Sequence, residues 1–381
     1  MELQGYRRSD GRFGFRNHVL VVPLSGCQME VAGRIAARVP GATCFAHPHG
    51  CDLQGEDFQL FRKILEHVTT HPNVGGVLFL AMGCAATLSM NLPATVRQSG
   101  RLVEILNTQV RGTTGNVEAG VEAARGMAEA LAGTEREPAP LSALTIGTKC
   151  GASDENSFKH CHPVVGRACD MLAEQGATIV LSEDCELAPA AHLLAGRASS
   201  PEVAARLRAL ADEVNRGWKA RFGHSLEDLI LKTVSREAWV QRSLEHAAKA
   251  GTGPITGFFD VSETVKGPGL VVLNAPNTDL ESVTALAAAG CTVTLFTTGR
   301  GTPVGSPVSI TLKVTATRHT CEHMAENIDV CVAGVSEGGE SVEEAARRVA
   351  QAVVDAANGQ LTKSELLGHW EVAVPIRGVT Y

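Results

Sequence analysis

Short runs of aliphatic and β-branched residues alternate along the chain with Ala-rich segments whose apolar positions recur every three to four residues. The runs His18–Leu24, Gly76–Met82 and Leu102–Leu106 predict strands, with helices at Met29–Arg38, from about Leu88 to Ser99, and at Asn116–Ala132. Near-continuous apolar strands separated by helices mark a mostly parallel sheet covered on both faces. Gly133–Pro140 (GTEREPAP) breaks the pattern with charge and two prolines, as a linker does. The alternation then restarts. Strands are expected at Ala143–Gly147, Thr178–Ser182, Leu270–Leu273, Thr292–Thr297, Ile310–Val314 and Asp329–Val335. Helices are expected at Val164–Glu174, Glu202–Trp218, Arg236–Ala250 and Val342–Ala357. No 20–50-residue repeat excludes a solenoid. The fold class is α/β: two consecutive α/β units with mostly parallel sheets flanked by helices, over residues 1–135 and 141–381.

Composition narrows this. At 381 residues, 44% hydrophobic and 20% charged, the chain can bury full cores and is not disordered. A net charge of -7 without any Lys/Arg cluster argues against nucleic acid as a partner. The uncharged stretch His71–Val96 contains glycines, prolines and asparagines, so it reads as a buried strand, turn and helix rather than a membrane span. Eleven cysteines, an odd number without a disulfide framework, and a polar Met1–Gly14 lead to an expectation of reduced thiols and a cytoplasmic location.

The cysteines also fall in telling places. Cys27, Cys84 and Cys150 each follow a strand and a nearby glycine, where open α/β sheets form their ligand crevice. In His47-Pro48-His49-Gly50-Cys51, alternate positions of an extended segment project to one side. Imidazole and thiolate donors from His47, His49, Cys51, Cys84 and Cys150 suit Fe(II), Mn(II) or Zn(II) better than Mg(II) or Ca(II). Three cysteines from separate loops could alternatively hold an iron–sulfur cluster, though without a compact ferredoxin spacing.

Lys149-Cys150-Gly151-Ala152-Ser153-Asp154, continuing to His160-Cys161-His162-Pro163, supplies the groups a proton-transfer enzyme needs: Lys149, Asp154 and His162. Ser153, Thr298, Gly299 and Arg300 sit in loops that can cradle a carboxylate or phosphate. Arg12, Arg16 and Asn17 flank an N-terminal Gly turn and can clamp another. Glu183, Asp184 and Glu186 end a further strand and could add carboxylates. Val304 precedes Gly305, so the GRG loop fails the GxGxxG pattern and no nicotinamide is expected.

Taken in order, these segments resemble the altronate/galactarate dehydratase family, which includes the large subunit of sulfolactate sulfo-lyase. The matching pieces are Gly5-Tyr6 with Asp10-Gly11-Arg12 and Arg16-Asn17, HPHGC at His47–Cys51, HPNVGGVL at His71–Leu78, and Gly83-Cys84. KCGASD at Lys149–Asp154, FTTGRGTPVG at Phe296–Gly305 and NIDV at Asn327–Val330 complete the set. The resemblance covers essentially the whole chain. It implies a lyase that removes water or sulfite from a small acidic, hydroxylated substrate with help from a divalent metal, usually iron. It also implies a small β-rich domain ahead of this segment, expected here either as a separate small subunit or as absent altogether, and a homo-oligomeric, non-membrane enzyme.

The chain departs from the family at Ala85, at Phe158–His162, at Val240–Ser243 and at Thr317. Three functions follow from the resemblance. The first is a metal-dependent dehydratase making a 2-keto acid from a sugar acid. The second is a carbon–sulfur lyase releasing sulfite, and the third is a non-catalytic subunit that binds an acidic ligand.

Overall fold

The computed structural model describes residues 2–84 and 89–376. Ala85 and the expected helix start at Leu88 lie outside the described residues. Near the N-terminus, β1 (Leu3–Arg7) pairs antiparallel with β2 (Phe13–Gly14). A four-stranded parallel sheet follows, built from β3 (His18–Pro23), β4 (Ala42–Cys44), β5 (Val74–Ala81) and β6 (Leu102–Asn107) in the order β4-β3-β5-β6. The expected linker is not a free loop. Its residues Glu137–Ala139 form β7, which pairs with β1, because an extended Pro-containing edge segment suits a position where one N–H can be spared.

The seven-stranded parallel sheet contains β8 (Thr145–Gly151), β9 (Thr178–Leu181), β10 (Ile255–Asp260), β11 (Gly269–Asn274), β12 (Val293–Thr298), β13 (Ile310–Thr315) and β14 (Val330–Cys331). Its order is β10-β11-β9-β8-β12-β13-β14. Two α/β units with parallel, helix-flanked sheets are thus what the alternation predicted. Strands β8, β12 and β13 are buried almost throughout, as near-continuous apolar runs require. Helix Val342–Ala357 opens with a capping box between Ser341 and Glu344, and its apolar stripe packs onto helix His162–Ala173. One core joins Val77 and Phe79 of β5 to Val271 and Leu273 of β11 and to Leu286, so the two sheets share buried apolar surface.

Two expectations are corrected. Asp329–Val335 is not one strand: only Val330–Cys331 pairs, with Val314 and Thr315 at the sheet edge, and Ala333–Ser336 turns into a helix. The thiols are not all reduced either, since Cys321 and Cys331 form a disulfide with Cα atoms 5.8 Å apart. Their sequence separation of 10 gave no framework signal, and edge pairing of β14 is what brings them together. Among the described residues no helix is long and apolar enough to cross a membrane. His71–Val96 holds β5 and enters helix Leu92–Gln98.

Strand order places two crevices. In the large sheet the chain leaves β8 toward β9 but leaves β12 toward β13 on the other side. In the small sheet it leaves β3 toward β4 and β5 toward β6. Each adjacent pair with connections diverging this way is a topological switch point, where ligands bind beyond the carboxyl ends of the strands.

Candidate functional site

At the carboxyl end of β8, Lys149 and Cys150 occupy successive positions and so face opposite sides of the sheet. Glu183, just past β9, bridges those sides. One carboxylate oxygen pairs with Lys149 Nζ; the other lies 3.1 Å from the Cys150 backbone N–H, 3.2 Å from His246 Nε2 and 2.9 Å from Lys249 Nζ. Lys149 Nζ also donates to the Asn277 carbonyl at 2.8 Å and pairs with Asp279 at 3.1 Å. His246 presents Nδ1 to Cys150 Sγ at 3.3 Å. His246 ends helix Arg236–Ala247 and Lys249 lies in the turn that continues it, so one segment carries both across to Glu183. Lys149, Glu183, His246 and Lys249 are each at most 1% exposed. Buried charges persist only when paired, and here each has a partner of opposite sign.

The backbone is strained to make this arrangement. Glu183 has φ +84° and Ala152 φ +49°, conformations that cost L-residues about 1–3 kcal/mol and gather at functional sites. Ala152 uses its conformation to offer its carbonyl to the amides of Gly299 and Arg300, at 3.3 and 3.0 Å. A Cβ on Gly299 would fall 2.3 Å from the Asp154 carboxyl carbon, so only glycine lets the loops after β8 and β12 close together.

Electrostatics follows from the pairing. Burial opposes the charge on Lys149, but the carboxylate of Glu183, the thiol of Cys150 and Asp279 outweigh it and push its pKa up to about 12. Glu183 is held well below the carboxylate range despite burial, because Lys249, Lys149 and His246 surround it. Burial and Lys249 disfavour charge on His246, yet Cys150 and Glu183 raise its pKa to about 9. Burial and Glu183 push the Cys150 thiol up, while His246 and Lys249 win and bring it well below its usual range. Cys150 and His246 thus form a thiolate–imidazolium pair.

Two polar atoms nearby are buried and have no hydrogen-bond partner among the described residues: Ser153 Oγ and His162 Nε2. The His162 ring stands edge-on to His246 with centroids 6.1 Å apart, and its Nδ1 donates to the Glu245 carbonyl at 2.9 Å. That bond puts a proton on Nδ1, and the ring also lies close enough to Cys150 to help hold its thiolate. Arg300 is exposed beside them, and its guanidinium has no partner among the described residues. Buried unpaired polar atoms are costly unless a ligand or water meets them.

Cys150, Glu183 and His246 are the group of metal-type donors brought together among the described residues, with ligand atoms within 4.8 Å of one another. One sulfur, one oxygen and one nitrogen donor fit a borderline divalent ion such as Fe(II), Mn(II) or Zn(II). Binding would displace Lys249 from Glu183. The five-residue set read from the sequence does not assemble. Cys150 belongs to the large sheet, whereas His47, His49, Cys51 and Cys84 lie beyond β4 and β5 of the small one. His47 is fully buried, gives Nε2 to the Pro23 carbonyl at 2.7 Å and packs edge-on to Phe61; burial lowers its pKa to about 4. His49 Nδ1 faces Asp52 at 2.9 Å.

The N-terminal clamp is also corrected. Arg16 is buried and spends its guanidinium on Glu365, at 2.6 and 2.9 Å, and on three backbone carbonyls. Asn17 accepts from Arg8 and donates to Leu131. Arg12 pairs with Asp10 and lines a cavity with Thr145, Thr178 and Thr292, at the amino ends of β8, β9 and β12. That is the opposite edge of the sheet from Lys149. Asp154 is tied up too, its oxygens accepting from Ser157 and, at 2.6 Å, from Thr317. Thr298 Oγ1 accepts the Gly301 amide at 3.0 Å and shapes the loop.

Comparison with known proteins agrees with the motif order. The family described as D-galactarate/Altronate dehydratase, C-terminal matches residues 141–380, and D-galactarate dehydratase/Altronate hydrolase, second domain matches residues 5–132. The chain is 33% identical to altronate dehydratase of Bacillus subtilis over 99% of its own length and 78% of that protein's. It is 31% identical to (2R)-sulfolactate sulfo-lyase subunit beta of Chromohalobacter salexigens, over 96% of this chain and 95% of that one. Altronate dehydratase of Escherichia coli is 30% identical, covering all of this chain and 78% of that protein.

Proposed function

The chain belongs to the D-galactarate/altronate dehydratase family, and from that premise we propose that it is a hydro-lyase that eliminates water from a small sugar acid to give a 2-keto acid. The observation that carries the reading to residues is the buried Lys149–Glu183 pair beside the unpartnered Nε2 of His162, at the switch point of the large sheet.

Elimination of a β-hydroxyl needs a base for the proton α to the carboxylate, positive charge for the developing enediolate, and help for the departing hydroxide. Arg300 and Ser153 Oγ grip the carboxylate. His162 Nε2, its tautomer set by Glu245, takes the α-proton. Lys149 remains an ammonium at neutral pH and stabilises the charge that develops, without itself carrying the proton. Asp279, the partly exposed partner of Lys149, keeps that ammonium turned toward the crevice. A divalent metal, Fe(II) by preference, would sit on Cys150, Glu183 and His246, where it supplies a Lewis acid for the hydroxy acid. The chain would work with a separate small subunit and as a homo-oligomer; the relative named subunit beta, nearly co-extensive with this chain, supports the first of these.

The same near-complete coverage favours one second reading, release of sulfite from a sulfonate such as sulfolactate. The experiment is an anaerobic screen of aldonates, aldarates and sulfolactate with added ferrous iron. A 2-keto acid formed from an aldonate or aldarate without sulfite, and lost in His162→Gln, supports the dehydratase. Sulfite release selects the second reading. No product from any substrate with the iron-loaded protein overturns both.

A further inference from the structure

The short helix Arg318–His323 follows β13 and reaches the loops that come after β8 and β12. Thr317, its N-cap, donates from Oγ1 to Asp154 at 2.6 Å. Thr320 donates its hydroxyl to the Gly299 carbonyl, and the Met324 sulfur fills the space that a Cβ on Gly301 would need. Gly299 and Arg300 in turn give their amides to the Ala152 carbonyl. The helix is therefore one wall of the loop that presents Arg300.

Its own packing holds this helix weakly. It is far shorter than the ~12–15 residues that an isolated helix needs in water. Thr320 is buried, while the other side chains from Arg318 to His323 are partly or fully exposed. The Arg318–Glu337 ion pair is about half exposed on both sides, and such pairs contribute little. The firm anchor is the Cys321–Cys331 disulfide, which ties the helix to β14. β14 is fixed in turn by its pairing with Val314 and Thr315 and by Arg348, which donates to the Cys331 carbonyl at 3.0 Å. Both cysteines are partly exposed at the sheet edge, within reach of a thiol in solution.

We propose that Cys321 and Cys331 are a thiol–disulfide exchange site that sets the affinity of the chain for its acid substrate. The exchange partner is a dithiol. One of its thiolates attacks a sulfur of the pair and forms a mixed disulfide; the second thiolate displaces the cysteine and closes the dithiol into its own disulfide. Two electrons and two protons pass to the chain, leaving two cysteine thiols, and a disulfide of the same class runs the step in reverse. With the bond closed, the helix is pinned and the Gly299–Arg300 loop keeps its form. With the bond open, the helix frays, Thr320 releases Gly299, and Arg300 is in place for only part of the time. Apparent affinity falls by the fraction of time for which the loop is formed. Lys149 and His162 take their backbone partners, Asn277 and Glu245, from other segments, so turnover of bound substrate is spared. The effect on affinity rests on the hydro-lyase reading; the effect on the loop does not.

The test compares the full chain after treatment with oxidised or reduced dithiothreitol, with the reagent removed and ferrous iron added equally. Peptide mapping locates the disulfide, and amide hydrogen exchange is followed over Phe296–Val304 and Ala316–Ile328. KM and kcat are measured on the acid that the chain turns over. Reduction should speed exchange in both segments by at least about tenfold. It should raise KM about tenfold and leave kcat within about twofold, as for a loop formed about a tenth of the time. Cys321→Ser should behave as the reduced chain after either treatment. Thr320→Val keeps the disulfide but cuts its link to Gly299, so its Phe296–Val304 segment should exchange fast when oxidised and change no further on reduction. Equal exchange over Phe296–Val304 in the oxidised and reduced wild type overturns the proposal, as does mapping that finds no Cys321–Cys331 bond in the oxidised chain. Absence of turnover on every acid counts against the hydro-lyase reading, and the exchange comparison then decides the switch alone.

Discussion

Cys150 Sγ lies 3.3 Å from Nδ1 of His246, two buried groups contributed by residues 96 positions apart in the sequence. Their proximity makes the thiol a thiolate and the imidazole an imidazolium across the neutral range. In the metal-free chain, thiolate ultraviolet absorbance should therefore be present at pH 7 and be lost in Cys150→Ser. His246, raised to about 9 by Cys150 and Glu183 against burial and Lys249, should titrate much closer to 6.5 once Cys150 is replaced, as followed by histidine NMR. A Cys150 thiol that titrates near the ordinary ~8.5 would contradict the pair.

Glu183 holds Lys149 through one oxygen and Lys249 through the other. Glu183→Gln keeps the shape but leaves two buried ammonium groups facing a neutral amide. Removing one member of a buried ion pair costs about 3–5 kcal/mol. Urea unfolding of Glu183→Gln should show a loss of that order, together with loss of activity. Lys149→Met removes the charge aimed at the developing enediolate, while Glu183 keeps Lys249. It should lower kcat by about 10²–10³ with a smaller change in stability. An unchanged kcat would remove Lys149 from the mechanism.

Much of this centre was legible. β8 shows in the sequence as an apolar run, so Lys149, Cys150 and Ser153 were placed at a strand end, and Glu183 likewise. His246 and Lys249 were not seen, because they lie in an Ala-rich helical stretch whose pattern reads as core. Their signal was chemical: a histidine and a lysine three apart within HAAKA, where the otherwise charged helix turns apolar. The arginine clamp failed for a physical reason. Arg16 and Asn17 sit in the short segment between β2 and β3, where an arginine can bind a ligand or the chain itself, and only the position of Glu365, 349 residues on, decides which.

That distinction can be measured. Arg16→Met breaks a buried bidentate pair with Glu365 and should destabilise the fold by about 3–5 kcal/mol, with KM close to wild type in the folded fraction. Arg300→Ala, at an exposed guanidinium without a partner among the described residues, should leave stability within about 0.5 kcal/mol. It should raise KM by about 10- to 100-fold, the loss of a charge-assisted hydrogen bond of about 1.5–3 kcal/mol. The reverse pattern would restore the N-terminal arginine to the substrate.

Acid sensitivity should come from the small sheet and its border. Burial, as the dominant cause, lowers His18 and His47 to about 4 and His71 to about 3, from 6.5. Each is neutral when folded and free to take a proton when unfolded. Between pH 6.5 and about 4 the unfolded state therefore binds more protons, and stability falls as pH falls. Above 6.5 these residues contribute no pH dependence. Urea midpoints measured at pH 7.5, 6.5, 5.5 and 4.5 should hold between the first two and then drop at each further step. Replacing His47, whose Nε2 faces the Pro23 carbonyl, with Gln should lower stability at pH 7 but flatten that decline, since one of the histidines kept neutral by burial is gone. A decline with the same slope in His47→Gln and wild type would mean that other groups drive the acid transition.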